Sequence, residues 1–139
     1  MSGDIFEQAA QAGWYTTQPL SGRGQIISIH SDPPFRLVLW GDLRFELSNE
    51  MIRTILDEFF IERGRWYLLG ASMTEPDPAG FGSFVRKTFP SFSPRHASAI
   101  AAILAHEGFV IFRGRRSIEL KKIAGREEME RLSAEEEDA

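Results

Sequence analysis

SFSPRHASAIAAILAHEGFVIFRGRRSIELKKI, residues 91–123, is the stretch from which the rest of the chain can be read. Ser93 is a favourable N-cap, because its side-chain oxygen can accept from an unpaired amide of the first helical turn. Pro94 suits the first helical position, where no N–H is needed. Gly108 ends the helix after His106-Glu107, since glycine readily adopts the left-handed conformation that closes a helix. Phe109–Phe112 and Ser117–Lys122 then alternate apolar and polar residues on either side of Arg113-Gly114-Arg115-Arg116. The stretch predicts a capped helix, a tight exit and a hairpin with a basic tip.

Working back towards the N-terminus, Ser83–Phe89 predicts a short helix before Pro90. EPDPAGFG, ahead of it, holds too much Pro and Gly for regular structure. Arg65–Ala71 predicts a short, mostly buried strand. Ser48 caps the clearest amphipathic helix: Met51, Ile52, Ile55, Leu56, Phe59 and Phe60 recur at helical spacing, with Arg53, Asp57, Glu58 and Glu62 opposite them. Further back, Gln25–His30, Phe35–Trp40 and Leu43–Leu47 predict a small antiparallel meander. Its second pair is joined by a Gly41-Asp42 turn of type II′. Alternation puts Leu43, Phe45 and Leu47 on one face and Arg44 and Glu46 on the other. Asp4–Ala12 predicts a short helix stopped by Gly13, Trp14-Tyr15 anchor the segment on the body, and Thr16–Gly24 is a loop.

From Ser48 onward the predicted order is helix, strand, short helix, capped helix, strand, basic turn, strand. This order resembles that of a winged helix-turn-helix over about residues 48–123; the resemblance is one of topology, not of a motif. The expected fold is α+β. An N-terminal helix and small antiparallel β-meander (1–47) pack on a winged helix-turn-helix-like C-terminal half (48–123). Residues 1–126 form a single compact domain, and residues 127–139 form an acidic tail that either extends as a helix or, the favoured reading, frays into a flexible end.

The 139 residues suffice for one domain with a core, and 42% hydrophobic against 26% charged residues argues against wholesale disorder. The absence of cysteine excludes disulfides, a thiol nucleophile and thiolate-bound metals. No apolar run reaches membrane-spanning length, and the first residues lack a basic-then-apolar leader, so a cytoplasmic location without membrane partners is expected. The net charge of −4 hides a strong segregation. Residues 1–78 carry six Lys/Arg against eleven Asp/Glu, residues 79–126 nine against two, and residues 127–139 one against seven. An acidic protein can thus present a local positive field, or neutralise its own acidic parts.

These features give the functional expectations. The first is a small nucleic-acid-binding protein of winged-helix type, contacting mainly phosphates, as a transcriptional or phage/plasmid-type regulator would. Arg113, Arg115, Arg116, Lys121 and Lys122 would act in the hairpin, and Arg86, Lys87 and Arg95 on the helix side. The capped helix is poor in base-reading side chains, so base recognition would be thin. The alternative is a protein–protein adaptor or homodimer of the same fold without enzymatic activity, docking through the small-residue face Ser98, Ala99, Ala102 and His106. Gly80–Ser83 could cradle an anion at a helix start, but lacks the P-loop ending and the dinucleotide spacing. His30, His96 and His106 do not share a metal-ligand spacing, and no serine has a nucleophile context. No enzyme, metal or cofactor is therefore expected. The acidic tail could fold over the basic hairpin and compete with nucleic acid, or simply solvate the end of the chain.

Overall fold

The computed structural model describes residues 13–75 and 77–137. It is a mixed α+β structure with an antiparallel four-stranded sheet, a smaller three-stranded sheet and helices between and beside them. The expected Asp4–Ala12 helix lies outside the described residues.

The four-stranded sheet is a meander of β1 (Trp14–Thr17), β2 (Ile27–Asp32), β3 (Phe35–Trp40) and β4 (Leu43–Ser48), paired in chain order. Trp14-Tyr15, expected as anchors ahead of a loop, instead form an edge strand, pairing Tyr15 with Ile29. Both inner hairpins turn in two residues. Pro33-Pro34, joined by a cis peptide bond, connect the paired Asp32 and Phe35. Gly41-Asp42 connect Trp40 and Leu43, and Gly41 takes the positive φ of 61° that a type II′ turn demands at its first position. The pleat places Tyr15, Ile29, Val38 and Phe45 in one cross-strand row, and Ile29, Val38 and Phe45 are buried.

Ser48 ends β4 and caps α1 (Asn49–Thr54) by accepting the Met51 amide at 3.1 Å. The helix widens into a π segment over Ile55–Phe59. Ile52, Ile55, Leu56 and Phe60 are buried, and the wider turn brings both Phe59 and Phe60 against Tyr67 and Phe81. After β5 (Trp66–Leu68) the chain crosses itself closely. A side chain at Gly82 would lie 2.7 Å from the Gly70 carbonyl, so only glycine lets the two backbones meet.

Next come α2 (Phe81–Thr88) and α3 (Pro94–His106), which pack together. At the start of α3 the His96 ring accepts the Ser93 amide through Nδ1 at 2.9 Å. At its end the Gly108 amide reaches the Ala105 carbonyl at 3.3 Å and the Phe109 amide reaches that of Leu104 at 2.9 Å, with φ of 84° at Gly108. That double bond is a Schellman closure.

Two strands, β6 (Val110–Arg113) and β7 (Glu119–Lys122), complete the smaller antiparallel sheet, whose spatial order is β5-β7-β6. The acidic stretch expected as a flexible tail belongs to a helix, α4 (Arg126–Glu137), packed on α1. Its sequence is mostly charged, yet Leu132 is fully buried and Met129 partly so. A Glu128 carboxylate accepts the Gly125 amide at 3.0 Å at its start. Those two apolar residues, a turn apart, suffice to dock a helix that composition alone assigns to solvent.

The core surrounds α3. It contacts β1 of the meander and β6 of the smaller sheet, and Ala97 and every residue from Ala99 to Leu104 are buried. A helix covered on all sides must be apolar nearly all round, which explains its run of alanines and isoleucines.

Candidate functional site

The hairpin that follows α3 distributes its basic residues over three environments. Trp66, Lys121 and Ile111 form one row across the small sheet, and the Lys121 ammonium lies 4.7 Å from the centre of the Trp66 ring. Arg113 leans over the same ring at 4.1 Å and pairs with Glu119 at 2.9 Å. Lys122 points to the other face and donates to the Leu56 carbonyl at 3.0 Å, at the π segment. These three cations have local partners. Arg115 and Arg116, in the loop between the paired Arg113 and Glu119, are exposed and make no ion pair among the described residues.

Gly114 sets the shape of that loop. Its φ is 95°, and a Cβ there would collide with the Ser117 carbonyl oxygen. The chain can fold back this tightly only without a side chain. The result aims Arg115 and Arg116 across a groove of about 910 Å³ at a second loop, where Leu20, Ser21 and Arg23 form the opposite wall and Phe112 part of the floor. The second loop is itself a turn, closed by the Gly22 amide on the Pro19 carbonyl at 2.9 Å. A further hollow of about 340 Å³ shares Leu20, Gly22 and Phe112 with the groove and runs on towards Ala105 and His106. Three arginines, a serine hydroxyl and an apolar floor thus meet in one place.

Arg23 was absent from the sequence-derived residues. A lone arginine in a Ser-Gly-Arg-Gly loop carries no signal by itself, and only the path of the meander brings it opposite residues 92 and 93 positions later. The remaining expected residues lie elsewhere. Arg86 and Lys87 are exposed in the last turn of α2 but do not line the groove. Arg95 pairs with Asp42 at 3.0 Å and stands 5.3 Å from the Trp40 ring, which ties α3 to the β3–β4 turn.

The small-residue face of α3 requires correction. Ala99 and Ala102 are buried, Ser98 is half-buried in a separate hollow with Arg116 and Ser72, and His106 is exposed but has Tyr15 stacked on its ring at 4.5 Å. Tyr15 of β1 and the loop after it lie against the His106 end of this face, and with Ala99 and Ala102 buried the face does not present its alanines at the surface. In the Gly80–Ser83 stretch, two of the amides that an anion would need are engaged within the chain. The Gly80 amide donates to the Asp77 carbonyl and the Gly82 amide to that of Leu69, each at 2.9 Å.

A second cluster escaped the sequence reading altogether. Arg36, 5% exposed, lies on the inner face of the meander. Its Nε and one terminal nitrogen each meet the Glu107 carboxylate at 2.7 Å, and the other terminal nitrogen donates to Asn49 at 2.6 Å. The Tyr15 hydroxyl also donates to Glu107, and Asn49 donates to the Leu132 carbonyl at 3.3 Å. Burial, and next the negative charge of Glu107, push the Tyr15 hydroxyl far above the usual tyrosine range, so it remains a donor. This cluster joins β1, β3, α1, α3 and α4. Its groups bond one another, as a structural tie requires.

Among the described residues there is no group of three His, Asp or Glu side chains placed to hold a metal ion, and no helix long and apolar enough to cross a membrane. Comparison of the chain with protein-family models, curated proteins and solved structures gives no match. The α+β architecture and the geometry of the groove are therefore the basis for a functional reading.

Proposed function

We propose that this protein binds nucleic acid, chiefly through phosphates, and that the tip of the β6–β7 hairpin is the contact. The observation that carries the reading is the pair of exposed arginines, Arg115 and Arg116, which make no ion pair among the described residues and line the groove with Arg23. Edge protection of a hairpin needs charge, but it does not need charge concentrated against a second basic loop. On a chain of net charge −4, such a concentration is a local attractor for a polyanion.

Element order also supports a winged-helix-like arrangement for residues 48–123. The strand that precedes α2 and α3 pairs with the return strand of the hairpin, giving the order β5-β7-β6. In this reading the hairpin is the wing, and it replaces α3 as the binding element. The helix that would enter a major groove is enclosed by the meander. Contacts of this kind position a nucleic acid without reading its bases, so affinity is steeply salt-dependent and tolerant of sequence.

The test is fluorescence anisotropy with labelled DNA and RNA across a salt series. The natural chain is expected to bind more weakly as salt rises. Reversing both charges, R115E with R116E, should lower affinity at least tenfold at low salt and flatten the salt slope by about two. Stability should stay within about 0.5 kcal/mol, since both residues are exposed. Binding unchanged by the double reversal would overturn the assignment.

A further inference from the structure

We infer that the groove takes single-stranded nucleic acid, with a base seated on Phe112 and the flanking phosphates on Arg23, Arg115 and Arg116. This deepens the nucleic-acid reading and rests on it. Phe112 is a large apolar side chain, 45% exposed, that lines both hollows. On β6 it pairs with Leu120, which is fully buried, so an inward-facing strand position has been left half open. The Pro19–Gly22 turn stands across from it and does not close over it.

An aromatic ring beside cations is the usual equipment of single-strand sites, where the groove follows the backbone and bases stack on π faces. Duplexes offer such a groove only phosphates and sugars, because their bases are stacked on one another. A single strand offers both chemistries at once: phosphate for the three guanidinium groups and an unstacked base for the phenyl ring. The Ser21 hydroxyl adds a neutral donor on the same wall. Further in, Ala105 adds an apolar surface beside the His106 ring, one face of which is covered by Tyr15. With α3 enclosed, a duplex has no helix to receive, so the exposed chemistry favours the strand whose bases are free.

The experiment compares a labelled oligothymidylate and oligouridylate with a duplex of equal length, for the natural chain, F112L and the double reversal R115E with R116E. F112L keeps apolar volume and removes the π face, so the fold should persist; a matching melting temperature checks this. The inference expects the natural chain to prefer single strands, and F112L to lose about fivefold or more in single-strand affinity with an unchanged salt slope. Equal or tighter duplex binding, indifferent to F112L but lost in the double reversal, would overturn the single-strand assignment and leave the phosphate reading standing. No binding of any nucleic acid at low salt would remove both. Full competition by a free mononucleotide at the oligonucleotide's own affinity would replace the strand with a nucleotide pocket. If F112L unfolds, the strand-against-duplex comparison on the natural chain still decides.

Discussion

The inner face of the meander and the tip of the β6–β7 hairpin handle arginine in opposite ways. Arg36 is 5% exposed and fully bonded to Glu107 and Asn49, while Arg115 and Arg116 stand in solvent with no ion pair among the described residues. Taking a guanidinium out of water costs several kcal/mol, so Arg36 is tolerable only because a bidentate carboxylate and an amide receive it. Leaving a guanidinium in water costs almost nothing, and it preserves the charge for something outside the chain. One arginine therefore belongs to the fold, and two are available for function.

The largest expected effect breaks the first half of that contrast. R36A would strand the Glu107 carboxylate and Tyr15 hydroxyl without their cation, at a cost of about 3–5 kcal/mol in denaturant unfolding. Replacing the pair together, R36M with E107L, should recover much of the loss, because no buried charge remains. A double variant as unstable as R36A would mean that shape, not charge, holds this region. Next in size is G114A, which tests whether the tip is built or merely loose. The added methyl collides with the Ser117 carbonyl and the residue must hold φ of 95°, so a loss of about 1–3 kcal/mol is expected. A G114A protein as stable as the natural one, with unaltered nucleic-acid affinity, would show that the groove does not depend on this turn.

Much of the secondary structure follows from local chemistry, and so was readable in the residues. The caps at Ser48 and Ser93, the closure at Gly108, the Gly41-Asp42 turn and the alternation of Leu43, Phe45 and Leu47 are all short-range effects. What the sequence hid is long-range. Arg36 finds its partner 71 residues away, and nothing near Arg36 announces a buried cation. The covering of α3 depends on β1, a strand of four residues too short to declare itself beside a loop. The helix α4 was obscured by composition, since its six glutamates outweigh Leu132 and Met129 in any average. The candidate site divides the same way: Arg115 and Arg116 stand out as a charge run, whereas Arg23 and Phe112 join them only through the fold.

The smallest expected effect lies at the other end of α3, where a titratable ring does part of a cap's work. His96 accepts the Ser93 amide through Nδ1, lies flat on Phe92 at 4.5 Å and meets Phe45 edge-on at 4.9 Å. Partial burial, and next the adjacent Arg95, lower its pKa below the usual histidine value. Asp42, paired with Arg95, offsets part of that positive field. Imidazolium carries a proton on both nitrogens and cannot accept the Ser93 amide, so that bond requires the neutral ring, although a protonated Nδ1 could still donate to the Ser93 hydroxyl 3.0 Å away. Because the folded pKa is depressed, the stabilisation is fully present above the unfolded value of about 6.5 and is lost as pH falls through the folded pKa. In H96Q the amide oxygen can still accept from Ser93, as in a serine–glutamine capping box, without titrating. Melting temperatures taken from about pH 7.5 down to about pH 5 should therefore fall less steeply for H96Q than for the natural chain. His30 and His106 are common to both proteins and cancel in the difference. Parallel curves would mean that protonation costs the fold nothing at this cap, and that the buried cation at Arg36, not a neutral ring at His96, marks where this protein is sensitive to charge.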